Sequence, residues 1–126
     1  MKTAQIKTSE SMEQQALFRW AAYQSGKFPE LVLLYHVPNE GKRSVSAGAR
    51  LKAEGLKKGV PDLCLPVARG KYHGLYIELK AEGGRLTGEQ AGWLSALNSQ
   101  GYKAVLCVGY EAAADEIMRY LQEEMA

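Results

Sequence analysis

Two stretches constrain this chain more than any others: Gly59-Val60-Pro61-Asp62-Leu63 and Gly74-Leu75-Tyr76-Ile77-Glu78-Leu79-Lys80. They read as an acid at the start of one short strand and an acid–x–lysine at the end of the next. The joining segment, from Val67 to His73, is polar and contains Gly70, as expected of a β-turn or short loop. Successive strand side chains alternate between faces, so Glu78 and Lys80 project one way and Ile77 and Leu79 the other. If the two strands pair as neighbours, Asp62 lies beside Glu78 and Lys80, and two carboxylates and an ammonium share one patch. The alternation alone is also what a half-exposed strand with a solvent-facing polar side displays.

The rest of the chain supplies layers for such a sheet. From Ser9 to about Gln24 the pattern is helical, with Ser9 as N-cap and Ala16, Leu17, Trp20 and Tyr23 on one stripe. Leu31 to Val37 is a continuous apolar run that suits a buried strand, with His36 at its end, and Pro38-Asn39-Glu40-Gly41 is a turn by composition. A short helix from Ser46 to Glu54 stops at Gly55. Thr87-Gly88-Glu89-Gln90 forms a capping box that opens a helix running to about Gln100. Lys103 to Val108 is a further strand, and Glu111 to Glu124 an amphipathic helix with Ala114, Ile117, Met118 and Leu121 inward. This order predicts an α/β sandwich around a small mixed β-sheet flanked by helices, with the strands either side of the Thr87 helix parallel.

With 126 residues the chain is expected to form a single domain, residues 1–126, around one core. A net charge of +2 does not by itself announce nucleic acid, but its distribution is uneven. Lys42, Arg43, Arg50, Lys52, Lys57 and Lys58 crowd the stretch before Asp62, and a local basic stripe can contact phosphates in a nearly neutral protein. The same stripe also reads as a solvated loop and helix face. Cys64 and Cys107 lie inside apolar runs, as buried thiols of a reducing compartment do. No run is long enough for a membrane span and Met1 to Thr8 lacks a signal-peptide core, so the expected location is cytoplasmic.

The Asp62–Glu78–Lys80 patch has a chemical use. Hard oxygen ligands with open coordination positions suit Mg²⁺ or Mn²⁺, which retain waters and accept phosphate oxygens. Such an ion offsets charge on a phosphodiester, and Lys80 would hold an attacking water or neutralise developing charge.

Pro61-Asp62 followed by Glu78-Leu79-Lys80 resembles the PD-(D/E)XK nuclease signature, and the longer set is more specific. Pro38-Asn39-Glu40-Gly41, Gly59-Val60-Pro61-Asp62-Leu63, Ile77-Glu78-Leu79-Lys80 and Gln90 resemble, in that order, the virus-type replication–repair nuclease (VRR-NUC) family. The resemblance spans roughly residues 9 to 108. It implies a restriction-endonuclease-like core and a metal-dependent DNA endonuclease of the stand-alone phage or bacterial type. It also implies metal ligation by Asp62, Glu78 and the carbonyl of Leu79, and a first-helix glutamate within E-x-x-x-Q. Glu10 with Gln14 fits that pattern, whereas helical position places Glu13 nearer the apolar stripe; Glu10 is the expected residue. The resemblance gives Gln90 a place beside the acid–x–lysine strand in addition to its capping role. It puts Asn39 or Arg43 at the rim of the site, in contact with DNA. Stand-alone members of the family act as homodimers on branched DNA, like Holliday-junction resolvases. The chain lacks a Val-Arg-Arg triplet, having Lys42-Arg43-Ser44 and Val67-Ala68-Arg69 instead. The alternatives are a flap- or end-directed nuclease and a non-catalytic nucleic-acid-binding module on the same fold, and the presence of Asp62, Glu78 and Lys80 favours the enzyme.

Overall fold

Ser9 starts the first helix by accepting a hydrogen bond from the Met12 N–H at 3.1 Å, in a computed structural model that describes residues 7–38 and 44–123. This helix, α1, runs from Glu10 to Gln24 and buries Leu17 and Ala21, four positions apart on one face. Tyr23, expected on the same stripe, is 88% exposed. At 3.6 residues per turn it sits about 120° from Leu17.

The expected buried strand over Leu31 to Val37 is not what forms. Pro29–Leu33 is a 3-10 helix with Pro29 in its first turn, and only Tyr35–His36 pairs as strand β1. Pro29 supplies a φ already suited to a helical start. Leu31 and Leu34 then turn inward at a spacing of three, while Val32 is 75% exposed. That spacing is the 3-10 period, and an unbroken apolar run hides which period it follows.

Helix α2 spans Val45–Ala53, with Ser44 accepting from the Ala47 N–H, and Gly55 at φ +107 follows it. Strands β2 (Leu63–Leu65) and β3 (Leu75–Lys80) pair antiparallel, and Arg69 bridges Tyr72 in the turn around Gly70. Helix α3 (Gly88–Ser99) leads to β4 (Lys103–Val108), and α4 (Tyr110–Leu121) follows. The strand order is β1-β2-β3-β4, with β3 and β4 parallel as expected across the α3 connection. Asn98 locks that connection, bonding Leu94 and both backbone groups of Ala104.

The two faces of this mixed sheet differ. Leu63, Leu65, Leu75, Ile77, Leu79 and Cys107 face α1 and α4 and form one core with Leu17, Ala21, Ala113 and Ile117. Truncating a fully buried leucine such as Leu17 to alanine costs about 2–5 kcal/mol. The opposite face carries Tyr76, Glu78 and Lys80, and α3 covers it over β4. Cys64 and Cys107 are buried free thiols. No helix among the described residues is long and apolar enough to cross a membrane.

Candidate active site

Asp62 immediately precedes β2, and the register Leu63↔Ile77 sets it opposite the end of β3 where Glu78 and Lys80 lie. Its Oδ2 accepts the Leu79 N–H at 2.9 Å, and its carbonyl accepts the Val37 N–H at 2.7 Å. His36 places Nδ1 3.3 Å from the same carbonyl, so it supports the Asp62 backbone as a strand-end residue. The approach to Asp62 depends on Gly59. Its φ is +88, and a Cβ there would stand 2.6 Å from the Glu89 backbone carbonyl carbon, so the loop passes α3 with no room for a side chain.

Glu78 and Lys80 do not lie on a solvated strand face. Glu78 is 1% exposed and Lys80 6%. Glu78 Oε2 is 3.3 Å from Lys80 Nζ and accepts from Gln90 Nε2 at 3.2 Å, whereas its Oε1 has no hydrogen-bond partner among the described residues. Burial is the largest cause pushing the Glu78 carboxyl up to about 8, and the adjacent Asp62 adds to it; Lys80 only partly opposes the shift. Fully ionised, the site would hold more negative charge than its own cation balances.

Glu10 brings a third carboxylate from the first turn of α1. One oxygen each of Glu10, Asp62 and Glu78 all lie within 4.8 Å of one another. Glu13 goes elsewhere. Gly109 caps α4 without a side chain, and Glu13 Oε1 accepts the Tyr110 N–H there at 2.9 Å while Thr8 Oγ1 donates to Oε2. The Thr8 bond first, and the Tyr110 N–H second, lower its pKa. The helical-wheel position that marked Glu13 reflects this link between α1 and α4.

Gln90 takes both places open to it. Its backbone N–H donates to Thr87 Oγ1 and its Oε1 accepts the Thr87 N–H, completing the capping box, while its Nε2 reaches Glu78. One side chain therefore ties the start of α3 to the buried carboxylate.

This donor set fits a divalent cation. Three carboxylates supply hard oxygen ligands, and the buried, unpaired Oε1 of Glu78 is a group that a cation would satisfy. A strand residue directs its N–H and C=O to the same flank, so the Leu79 carbonyl points toward the side where its N–H meets Asp62.

The basic residues fall into two groups. Arg50 lies in the last turn of α2, and Lys57 and Lys58 follow in the connection to β2, all exposed. Trp93 Nε1 donates to the Lys58 carbonyl at 3.0 Å and fastens this connection to α3. A cation in the last turn of a helix also has a plain reason to be there, since it complements the helix dipole. Asn39, Lys42 and Arg43, with Glu40 and Gly41 of the expected rim turn, lie outside the described residues.

Sequence reasoning missed a second charge cluster built on a buried carboxylate, Glu116 with the half-buried Lys103 and the exposed Arg119. Its signal was available, because Glu116 interrupts the inward stripe of α4 beside Ile117.

Comparison with known proteins agrees with this architecture. The model of the VRR-NUC domain family matches residues 8–111. A solved structure described as a VRR_NUC domain protein superposes with a TM-score of 0.82 at 30% identity, covering 96% of this chain and 94% of that one. No curated protein matches the chain. With a family match over most of its length and an open mixed sheet flanked by helices in the PD-(D/E)XK manner, this chain belongs to the VRR-NUC family of nuclease domains.

Proposed function

We propose that this protein is a divalent-metal-dependent DNA endonuclease that hydrolyses phosphodiester bonds at the Glu10–Asp62–Glu78 cluster. The observation that carries the reading is the convergence of these carboxylates, together with a buried, unpaired Glu78 oxygen and Lys80 alongside. Asp62, Glu78 and the Leu79 carbonyl hold Mg²⁺ or Mn²⁺, with Glu10 completing the set. The ion supplies charge neutralisation at the phosphodiester and makes a water more acidic. Lys80 orients the attacking water and stabilises the charge that develops on phosphate oxygens. Gln90 holds Glu78 in position through its Nε2. Arg50, Lys57 and Lys58, together with Asn39, Lys42 and Arg43 from the rim turn, contact backbone phosphates. The substrate is branched DNA, cut on both strands by a twofold homodimer that brings two sites together.

Cleavage of labelled four-way junction, flap, linear duplex and single-stranded DNA tests this reading, with Mg²⁺ or Mn²⁺ and with chelator, for wild type and Lys80→Ala. Paired nicks in the junction that need metal and vanish in the variant are the expected result. Cutting of ends or flaps alone removes the junction and dimer part of the proposal. Binding without cutting under any metal removes the enzyme and leaves a binding module.

A further inference from the structure

The sheet face that bears Glu78 and Lys80 continues beyond the carboxylates as a row of aromatic rings. Alternation puts Tyr76 on the same face as Glu78, two residues and about 7 Å away along β3. Residues directly opposite in antiparallel strands share a face, and Tyr76 pairs with Cys64, which pairs with Tyr35. Tyr102 closes against Tyr76 with ring centroids 5.4 Å apart and planes at 78°, and His73 meets Tyr102 at 5.7 Å and 69°. Tyr35 is 49% exposed, His73 is exposed, and the two rings between them are half-buried.

The row lies outside the main core, and its buried neighbours on this face are Cys64 and Ala104. The core lies on the other face under α1 and α4, and it includes none of Tyr35, Tyr76 or Tyr102. The surrounding backbone is nevertheless shaped to the rings. Gly101, at φ +91, leaves the space the His73 ring occupies, since a Cβ there would come within 2.6 Å of its Cδ2. The His73 N–H donates to the Gly101 carbonyl at 2.8 Å, which keeps that ring beside Tyr102.

We propose that the row Tyr35–Tyr76–Tyr102–His73 is a stacking platform for unpaired nucleotides of the DNA strand that leaves the carboxylate site. The inference rests on the nuclease reading for the position of the scissile phosphate, and it adds that branched DNA is held with nucleotides unpaired beside the cut. Continuity carries it, because a strand held at Glu78 and continuing over this sheet face meets Tyr76 next. Bases in a duplex hide their faces in the stack, whereas unpaired bases offer them to aromatic side chains without regard to sequence. Tyrosine and histidine present an apolar ring with a polar tip, which suits a surface that is wet when empty.

The test is equilibrium binding in chelator, where nothing is cut, of a fluorescent oligothymidylate and a blunt duplex of two annealed strands. Wild type, Tyr35→Ala and Tyr35→Phe are compared, with thermal unfolding to show that each variant is folded. Tyr35→Ala should weaken oligothymidylate binding by about tenfold and duplex binding by less than about twofold, with Tyr35→Phe close to wild type. A 2-aminopurine base in the oligonucleotide should be quenched by wild type and not by Tyr35→Ala. Equal effects on both probes, or no effect on either, overturn the platform. So does a dimer that Tyr35→Ala converts to monomer at unchanged DNA affinity, which would make the row a surface between copies. Metal-dependent cleavage in parallel separates the two readings. Cutting without the Tyr35 discrimination sinks the platform alone, and the discrimination without cutting sinks the nuclease while the platform stands.

Discussion

Glu78 and Glu116 are both glutamates that the fold buries, at 1% and 7% exposure, and they are held in opposite ways. Glu116 is fully paired, with Lys103 Nζ 2.8 Å from Oε1 and Arg119 Nη2 2.7 Å from Oε2. Burial alone would raise its pKa, but the hydrogen bonds and charges of Lys103 and Arg119 outweigh that and lower it. Glu78 shares one oxygen between Lys80 and Gln90, leaves the other without a partner, and stands among further carboxylates. One cluster ties α4 to β4 and is complete within the protein. The other is incomplete and charged in excess, an arrangement that costs stability and makes sense where an external cation and substrate complete it.

The largest expected difference between the two is catalytic. Glu78→Gln should lower metal-dependent cleavage by about a thousandfold, while Glu116→Gln should leave the rate of the folded protein within about threefold. Comparable losses in single-turnover rates for the two variants would remove the distinction. Stability should then reverse the ranking. Glu116→Gln should cost about 1–3 kcal/mol in urea unfolding, because it strips a charge-assisted acceptor from Lys103 and Arg119.

In chelator, Glu78→Gln should stabilise the protein at alkaline pH by about 1–3 kcal/mol. The sign follows from the folded pKa of about 8, above the ordinary carboxyl value of 4.5. The folded state binds this proton more tightly, so the Glu78 contribution is most favourable at low pH. It declines as pH rises through that interval, and flattens above about 8. Glu116 has the opposite sign. Its stabilisation is present above the unfolded carboxyl value and is lost as pH falls through the lowered folded one. Urea midpoints measured from about pH 5 to 9 should show the Glu78→Gln advantage growing with pH. An advantage that is flat or shrinks over that range would contradict excess negative charge at the site.

The smallest effect sharpens the contrast at the helix that reaches the incomplete cluster. Thr87→Ala removes the cap of α3 and should cost about 1 kcal/mol, with a further loss of cleavage because Gln90 is released from its box. Unchanged cleavage at reduced stability would separate the cap from the positioning of Glu78.

Much of the fold was legible because its signals are local. Ser9 and Thr87 are side-chain caps, and each begins its helix by a bond three residues long. The strand over Lys103–Val108 and the parallel crossover followed from pattern and connection length. The run from Leu31 to Val37 was not legible, because continuous apolarity carries no period and Pro29 decided in favour of a 3-10 turn. Tyr23 shows the same limit within a helix, since a spacing of three from Trp20 does not keep it on the side that Leu17 and Ala21 bury.

By itself the sequence determined the order of elements, the identity of Asp62, Glu78 and Lys80 as a candidate set, and the place of Gln90 in a capping box. These depend on alternation and spacing along the chain. Only the tertiary structure decided that the polar face of β3 is buried, that Glu10 joins Asp62 and Glu78 while Glu13 caps α4, and that Glu78 keeps one oxygen unpaired. Each of these is a meeting of segments far apart in sequence, set by how α1, α3 and α4 dock on the sheet. Burial and charge balance are properties of such meetings and of no single stretch of chain.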